Sequence, residues 1–209
     1  MSGATPAPAA DARARRRRGI AEDVALIAVA VAVAVVVRAL VAQAYYIPSA
    51  SMVPQLRIDD RVVVSRVAYH VHPPHRGDIV VFKAPPSLET AKPAGNPVSH
   101  FFRSIGSAVG VTEDQTVLIK RVIGLPGETV SARGGHVYVG RDVLIEPYLP
   151  PGVITSDFGP VKVPAGELWV MGDNRGNSDD SRFFGPIPIH TVIGRAIWKV
   201  WPPWRASFL

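Results

Sequence analysis

Two serines in Ile47-Pro48-Ser49-Ala50-Ser51-Met52-Val53-Pro54 and one lysine in Val117-Leu118-Ile119-Lys120-Arg121-Val122-Ile123 carry the clearest chemical potential in this chain. A serine hydroxyl is a weak nucleophile at neutral pH and needs a base beside it. A lysine serves as that base only when burial lowers its pKa, because desolvation disfavours the ammonium. Proline fixes its own φ and pushes the residue before it to extended geometry, so the two prolines stiffen the serine turn. On a strand, Lys120 shares a face with Leu118 and Val122, which aims its amine at an apolar surface, while Arg121 points the other way with Ile119 and Ile123. Each segment alone has a plainer alternative. The first could be a proline-flanked connector, the second an edge strand whose lysine snorkels to water.

A third cluster, Gly172 to Pro186, is dense in Gly, Asn, Asp and Ser. Such side chains bond nearby backbone and tolerate tight turns. A hydroxyl here could orient the lysine amine, and Asp180 with Arg182 could form a buried pair that fixes the loop. A calcium loop does not fit, because no glutamate stands twelfth from Asp173. His70, His72 and His75 in HVHPPH have no accompanying carboxylate or cysteine ligand pattern and read as exposed loop residues. His100, His136 and His190 are isolated. No metal and no cofactor is expected.

The elements that must position these groups begin with an N-terminal tail, residues 1–23, rich in Ala and Pro and carrying Arg13, Arg15, Arg16, Arg17 and Arg18. Residues 24–44 follow, apolar except for Arg38. As a helix they would span roughly 30 Å, one hydrocarbon core. Glu22 and Asp23 suit a first turn, Arg38 can snorkel, and Tyr45 and Tyr46 sit where an aromatic belt is expected. The arginine excess puts the tail in the cytoplasm and residues 45–209 outside a cell membrane, as a single-pass protein. A cleaved signal peptide ending in Ala42-Gln43-Ala44 is the rival, but its apolar core would be unusually long. Either way the chain is exported.

Beyond Tyr45 there are 17 basic and 14 acidic residues, too even a balance for a nucleic-acid surface. There is no cysteine, which excludes disulfides and thiolate metal sites. Short β-branched runs at 61–64, 78–82, 116–123, 136–139, 168–171 and 196–201 are bounded by turn residues. With 20 prolines and 18 glycines, they predict a mainly β, irregular multi-sheet domain behind one transmembrane helix. Residues 84–115 read as a long loop with helical turns around His100 to Val109, where Phe101, Phe102, Ile105 and Val109 make an apolar face. Residues 128–168 read as an accessory subdomain.

In order and content, SASMVP, RGDIVVF (Arg76 to Phe82), KRVIGLPGE (Lys120 to Glu128) and GDNRGNSDDSRFFGPI (Gly172 to Ile187) resemble the boxes of the bacterial type I signal peptidases. Four ordered boxes behind an apolar span are a specific signal. The resemblance implies Ser51 as nucleophile, Lys120 as general base, and Ser49 with the Ser51 amide as oxyanion hole. It implies Ser178 as the group that orients the lysine, and Asp180 and Arg182 as structural support. The implied substrates are exported preproteins, cut after small residues in an A-x-A pattern. Gln55 and Gly176 depart from the family's usual threonine and aspartate. The sequence leaves open a peptidase serving one dedicated client, or a non-catalytic anchored binding domain. The oligomeric state is open, with a monomer favoured.

Overall fold

The computed structural model describes residues 22–31, 33, 42–89 and 117–209. The chain divides into two units, Met1–Leu40 and Val41–Leu209. In the first, residues 22–31 are helical, and Val24, Leu26, Ile27, Val29 and Val31 are exposed. Among the described residues no helix is long and apolar enough to cross a membrane. Much of the span predicted at 24–44 lies outside the described residues. Its last part is corrected: Ala42–Tyr46 is a strand, β1, paired antiparallel with β2, Arg61–Ser65, in the register Ala44↔Val63. The reason is packing. Tyr45 lies against an apolar cluster under β2 rather than in a lipid belt, and the exposed Tyr46 donates its hydroxyl hydrogen to Asp59.

The second unit is mainly β. The remaining strands are β3 Ile79–Lys83, β4 Val117–Gly124, β5 Thr129–Arg133, β6 His136–Val139, β7 Asp142–Val143, β8 Phe158–Lys162, β9 Glu167–Met171, β10 Ile187–Pro188, β11 Val192–Trp201 and β12 Ser207–Phe208. One sheet runs β1-β2-β11-β3-β4-β9-β10, with β12 on β11, and the other runs β7-β6-β5-β8. Every pairing among the described residues is antiparallel. The second sheet lies wholly within residues 128–168. Residues 90–115 of the long loop, with Phe101, Phe102, Ile105 and Val109, lie outside the described residues; Pro86–Glu89 makes one helical turn.

β3 explains why its sequence is apolar without alternation. Ile79 and Val81 face a cluster with Ile47, Met52, Leu56, Val62, Val64 and Ile119. Val80 and Phe82 face another with Val122, Leu168, Val170 and Ile187. A strand buried on both faces needs apolar residues at every position. The third cluster joins the sheets: Ile123, Trp169 and Met171 meet Val130, Ala132, Val137 and Val163. At this seam Gly124 admits no side chain, since a Cβ would lie 2.5 Å from Val130 and 3.0 Å from Trp169.

Candidate active site

The serine turn is a loop closed at its base, where the Ile47 N–H donates to the Asp60 carbonyl (2.9 Å) and the Asp59 N–H to that of Ile47 (3.0 Å). Met52 and Leu56 are fully buried and anchor one side of it. A helical turn, Leu56 N–H to Met52 O at 2.8 Å, runs directly after Ser51. Lys199 of β11, itself buried, donates to the Gln55 carbonyl (3.0 Å) and caps that turn. Ser51 is buried at the loop surface, while Ser49 is exposed, with its Oγ 3.3 Å from that of Ser51.

Lys120 lies mid-way along β4, opposite Val80 of β3. Its side chain is 3% exposed, and Nζ donates to Ser51 Oγ at 2.7 Å. Burial takes its pKa down from 10.5 to about 8, against the opposing pull of Asp180 and Asp179. Among the described residues no carboxylate forms an ion pair with it. A proton acceptor and a hydroxyl are thus in direct contact, with the acceptor neutral in a good fraction of molecules near pH 8.

The loop after β9 closes over this pair. Asp180 is fully buried and accepts from the Gly172 N–H (3.0 Å), from the Arg182 N–H (3.2 Å), and from Arg182 Nε and Nη2 (2.8 Å each). Ser178 is buried, and its Oγ has no hydrogen-bond partner among the described residues. It stands where a Cβ on Gly172 would be, 2.2 Å from that position, while the Ser51 carbonyl oxygen is 2.5 Å away on another side. Residue 172 therefore has to be glycine for Ser178 and the serine turn to approach each other. An apolar groove lined by Tyr45, Tyr46, Ile47, Pro48, Val81, Val117, Leu118 and Ile119 runs from the serine turn along β4.

The family described as signal peptidase, peptidase S26, matches residues 20–201. The chain belongs to this family. It is 43% identical over 168 residues to a signal peptidase I from Leptolyngbya laminosa, covering 79% of this chain and 72% of that protein. It is 39% identical over 175 residues to a probable signal peptidase I-2 from Synechocystis, covering 83% and 69%. A crystal structure of a signal peptidase I from Enterococcus faecalis shares 29% identity and a TM-score of 0.41, covering 58% of this chain and 95% of that one. As a member of this family the chain is a serine endopeptidase.

In this peptidase the structure brings Ser49, Ser51 and Lys120 into one contact group, and sets Ser178, Asp180 and Arg182 in the loop beside it. It also places residues that sequence reasoning missed. The Asn174 N–H donates to the Ser51 carbonyl (3.0 Å) and its side-chain amide to that of Ala50 (3.1 Å), gripping the serine turn by its backbone. Arg121 is buried, paired to Asp173 through two bonds of 2.8 and 2.6 Å, and lies over the Tyr148 ring at 3.9 Å. Arg175 is buried with Glu146 and Thr155. The signal was present in part, since a charged residue facing inward from an apolar strand demands a partner. The positions of Tyr148, which lies against Arg121, and of Glu146, which pairs with Arg175, were not, because they belong to a stretch with no periodicity. The His72 and His75 rings stack at 5.0 Å, and no group of His, Cys, Asp or Glu among the described residues could hold a metal ion.

Proposed function

We propose that this peptidase removes signal peptides from exported preproteins, with Ser51 as nucleophile and neutral Lys120 as general base. The observation that carries this reading is the 2.7 Å contact between a buried, partner-poor amine and a serine hydroxyl in a braced turn. Lys120 takes the Ser51 proton as Oγ attacks the scissile carbonyl. The oxyanion is met by the Ser51 amide and the Ser49 hydroxyl, which is exposed and 3.3 Å from the nucleophile. The lysine, now protonated, gives its proton to the leaving amine, and water then releases the acyl group by the same route. Ser178, buried beside Gly172 with its Oγ unpartnered among the described residues, is the hydroxyl we assign to orienting the amine. Asp180 and Arg182 hold the loop that carries it.

The groove that starts at Ile47 and Pro48 of the serine turn is apolar, with Val81 and Ile119 among its walls, which suits small alkyl side chains such as those of an A-x-A segment. We place the domain on the outer face of a cell membrane, behind a single span with a cytoplasmic N-terminus. Two features support this: the exposed apolar helix of residues 22–31 and an exposed aromatic group on the domain. In the latter, Trp198 stacks on Phe208 at 5.7 Å and Trp201 lies against Trp204 at 6.4 Å. Aromatic side chains of this kind favour the interface between lipid and water. The test is cleavage of a preprotein bearing an A-x-A site by the detergent-solubilised chain. Cut product from wild type but not from Ser51→Ala or Lys120→Ala is expected; full activity in either variant would refute the pair.

A further inference from the structure

We propose that Glu146, in the segment after β7, is a positioning residue for the Ser51–Lys120 pair, so that the second sheet is a working part of the active site. This inference rests on the reading of that pair given above. Glu146 and Arg175 form a doubly bonded ion pair, one bond being 2.9 Å to Nη1, with side-chain exposures of 11% and 1%. Arg175 Nη1 also donates to Thr155 Oγ1 (2.8 Å) and Nε to the Gly172 carbonyl (3.1 Å). Thr155 is in turn tied to the tip of the β5–β6 hairpin, its N–H donating to the Gly135 carbonyl (3.1 Å). Thus a carboxylate of the second sheet's connecting segment holds an arginine whose guanidinium also bonds the carbonyl of the glycine that spaces Ser178 from Ser51.

A second path runs through Tyr148. Its hydroxyl donates to Glu146 Oε1 (2.6 Å), and its ring lies under the Arg121 guanidinium. Arg121 follows Lys120 directly and grips Asp173, which precedes Asn174, the residue bonded to the Ser51 carbonyl. Glu146 therefore meets the nucleophile's loop through Arg175 and the base's strand through Tyr148. Buried hydrogen-bonded charges have defined geometry, and breaking one leaves its partner uncompensated. No residue of this segment lines the groove, so its loss should disturb alignment of the reacting groups and not substrate binding. Small misplacements of that kind cost about ten- to hundredfold in rate.

The experiment compares kcat and KM for preprotein cleavage by the full chain in detergent. Glu146→Gln should lower kcat about ten- to hundredfold with KM little changed. Val137→Ala, which thins the core of the same sheet, should keep wild-type kcat below its melting temperature. The double variant Glu146→Leu with Arg175→Met replaces the pair by apolar groups and should restore the melting temperature but not kcat. Tyr148→Phe removes only the hydroxyl bond and should give a smaller drop in kcat. If Glu146→Gln loses no more kcat than Val137→Ala, or the double variant recovers kcat, the pair is merely structural and the proposal fails. If Glu146→Gln does not fold, the double variant and Tyr148→Phe decide. Lys120→Ala is run alongside: cleavage by that variant would overturn the underlying reading of the dyad, whatever Glu146 does.

Discussion

Lys120→Met should make the domain more stable at neutral pH while abolishing cleavage. The amine is 3% exposed and its pKa falls from 10.5 to about 8 on folding. At about 1.4 kcal/mol per pH unit this is a cost of roughly 3 kcal/mol to the folded state wherever the lysine is protonated in both states, that is, below pH 8. Losing the hydrogen bond to Ser51 takes back about 1 kcal/mol. The net gain at pH 7 is therefore about 2 kcal/mol, or about 4–8 °C in Tm for a domain of this size. The sign reverses with pH. Between pH 8 and 10.5 the folded lysine is neutral and the unfolded one still charged, so wild-type stability climbs and the advantage of the variant drains away. By pH 10.5 the lost hydrogen bond should leave the variant slightly less stable. Thermal unfolding of the solubilised chain at pH 7 and pH 10, with cleavage assayed on the same samples, reads both effects. A Tm difference that does not narrow with pH, or a variant less stable than wild type at pH 7, would refute the claim that the site holds a strained amine.

Three further outcomes are expected. The kcat/KM of wild type should reach half its plateau near pH 8 and drop about tenfold per pH unit below, because only neutral Lys120 accepts the proton and the depressed folded pKa sets the limb; a flat profile from pH 5 to 9 would point to another base. Asp180, Asp179, Asp173 and Arg182 all act on that amine, so the limb should shift when the Asp180–Arg182 pair is broken. Gly172→Ala puts a methyl 2.2 Å from Ser178 Oγ and 2.5 Å from the Ser51 carbonyl oxygen. The serine turn has to move, and kcat should fall about a hundredfold or more with the fold retained by circular dichroism. Wild-type kcat in that variant would mean the loop yields freely.

The strands at the centre of the sheet were legible because their residues answer to burial alone. Val62, Val64, Ile79, Val81 and Ile119 share one cluster, and filling it from strands favours β-branched apolar residues at those positions. β8 was not legible: Phe158–Lys162 contains Gly159 and Pro160, residues that demote a strand, and it survives because it pairs on one side only, with β5. β1 was misread as helix and lipid belt because Ala42-Gln43-Ala44 has no period of its own; its conformation comes from β2, a non-local partner. The same limit applied to the site. Ser51 and Lys120 were legible as types needing each other, whereas Asn174, Arg175 and Glu146 act through backbone carbonyls and ion pairs that only the folded chain brings together.

The neighbours Lys120 and Arg121 show how one strand serves two opposite electrostatic ends. Strand alternation sends them to opposite faces. The arginine face offers Asp173, the Gly77 carbonyl and an aromatic ring, so a guanidinium that cannot lose its proton is fully compensated. On the lysine face the amine finds a hydroxyl and apolar walls. The carboxylates that pull on it most, Asp180 and Asp179, raise its pKa only in part, and Asp180 is already engaged by Arg182 and the Gly172 amide. Were Asp180 free to turn toward Lys120, a short ion pair would return the amine to its protonated form and remove the base. On this argument Arg182 would favour the neutral lysine in two ways: by direct repulsion, and by occupying Asp180, the carboxylate with the largest pull on the amine, while Arg121 occupies the equally buried Asp173.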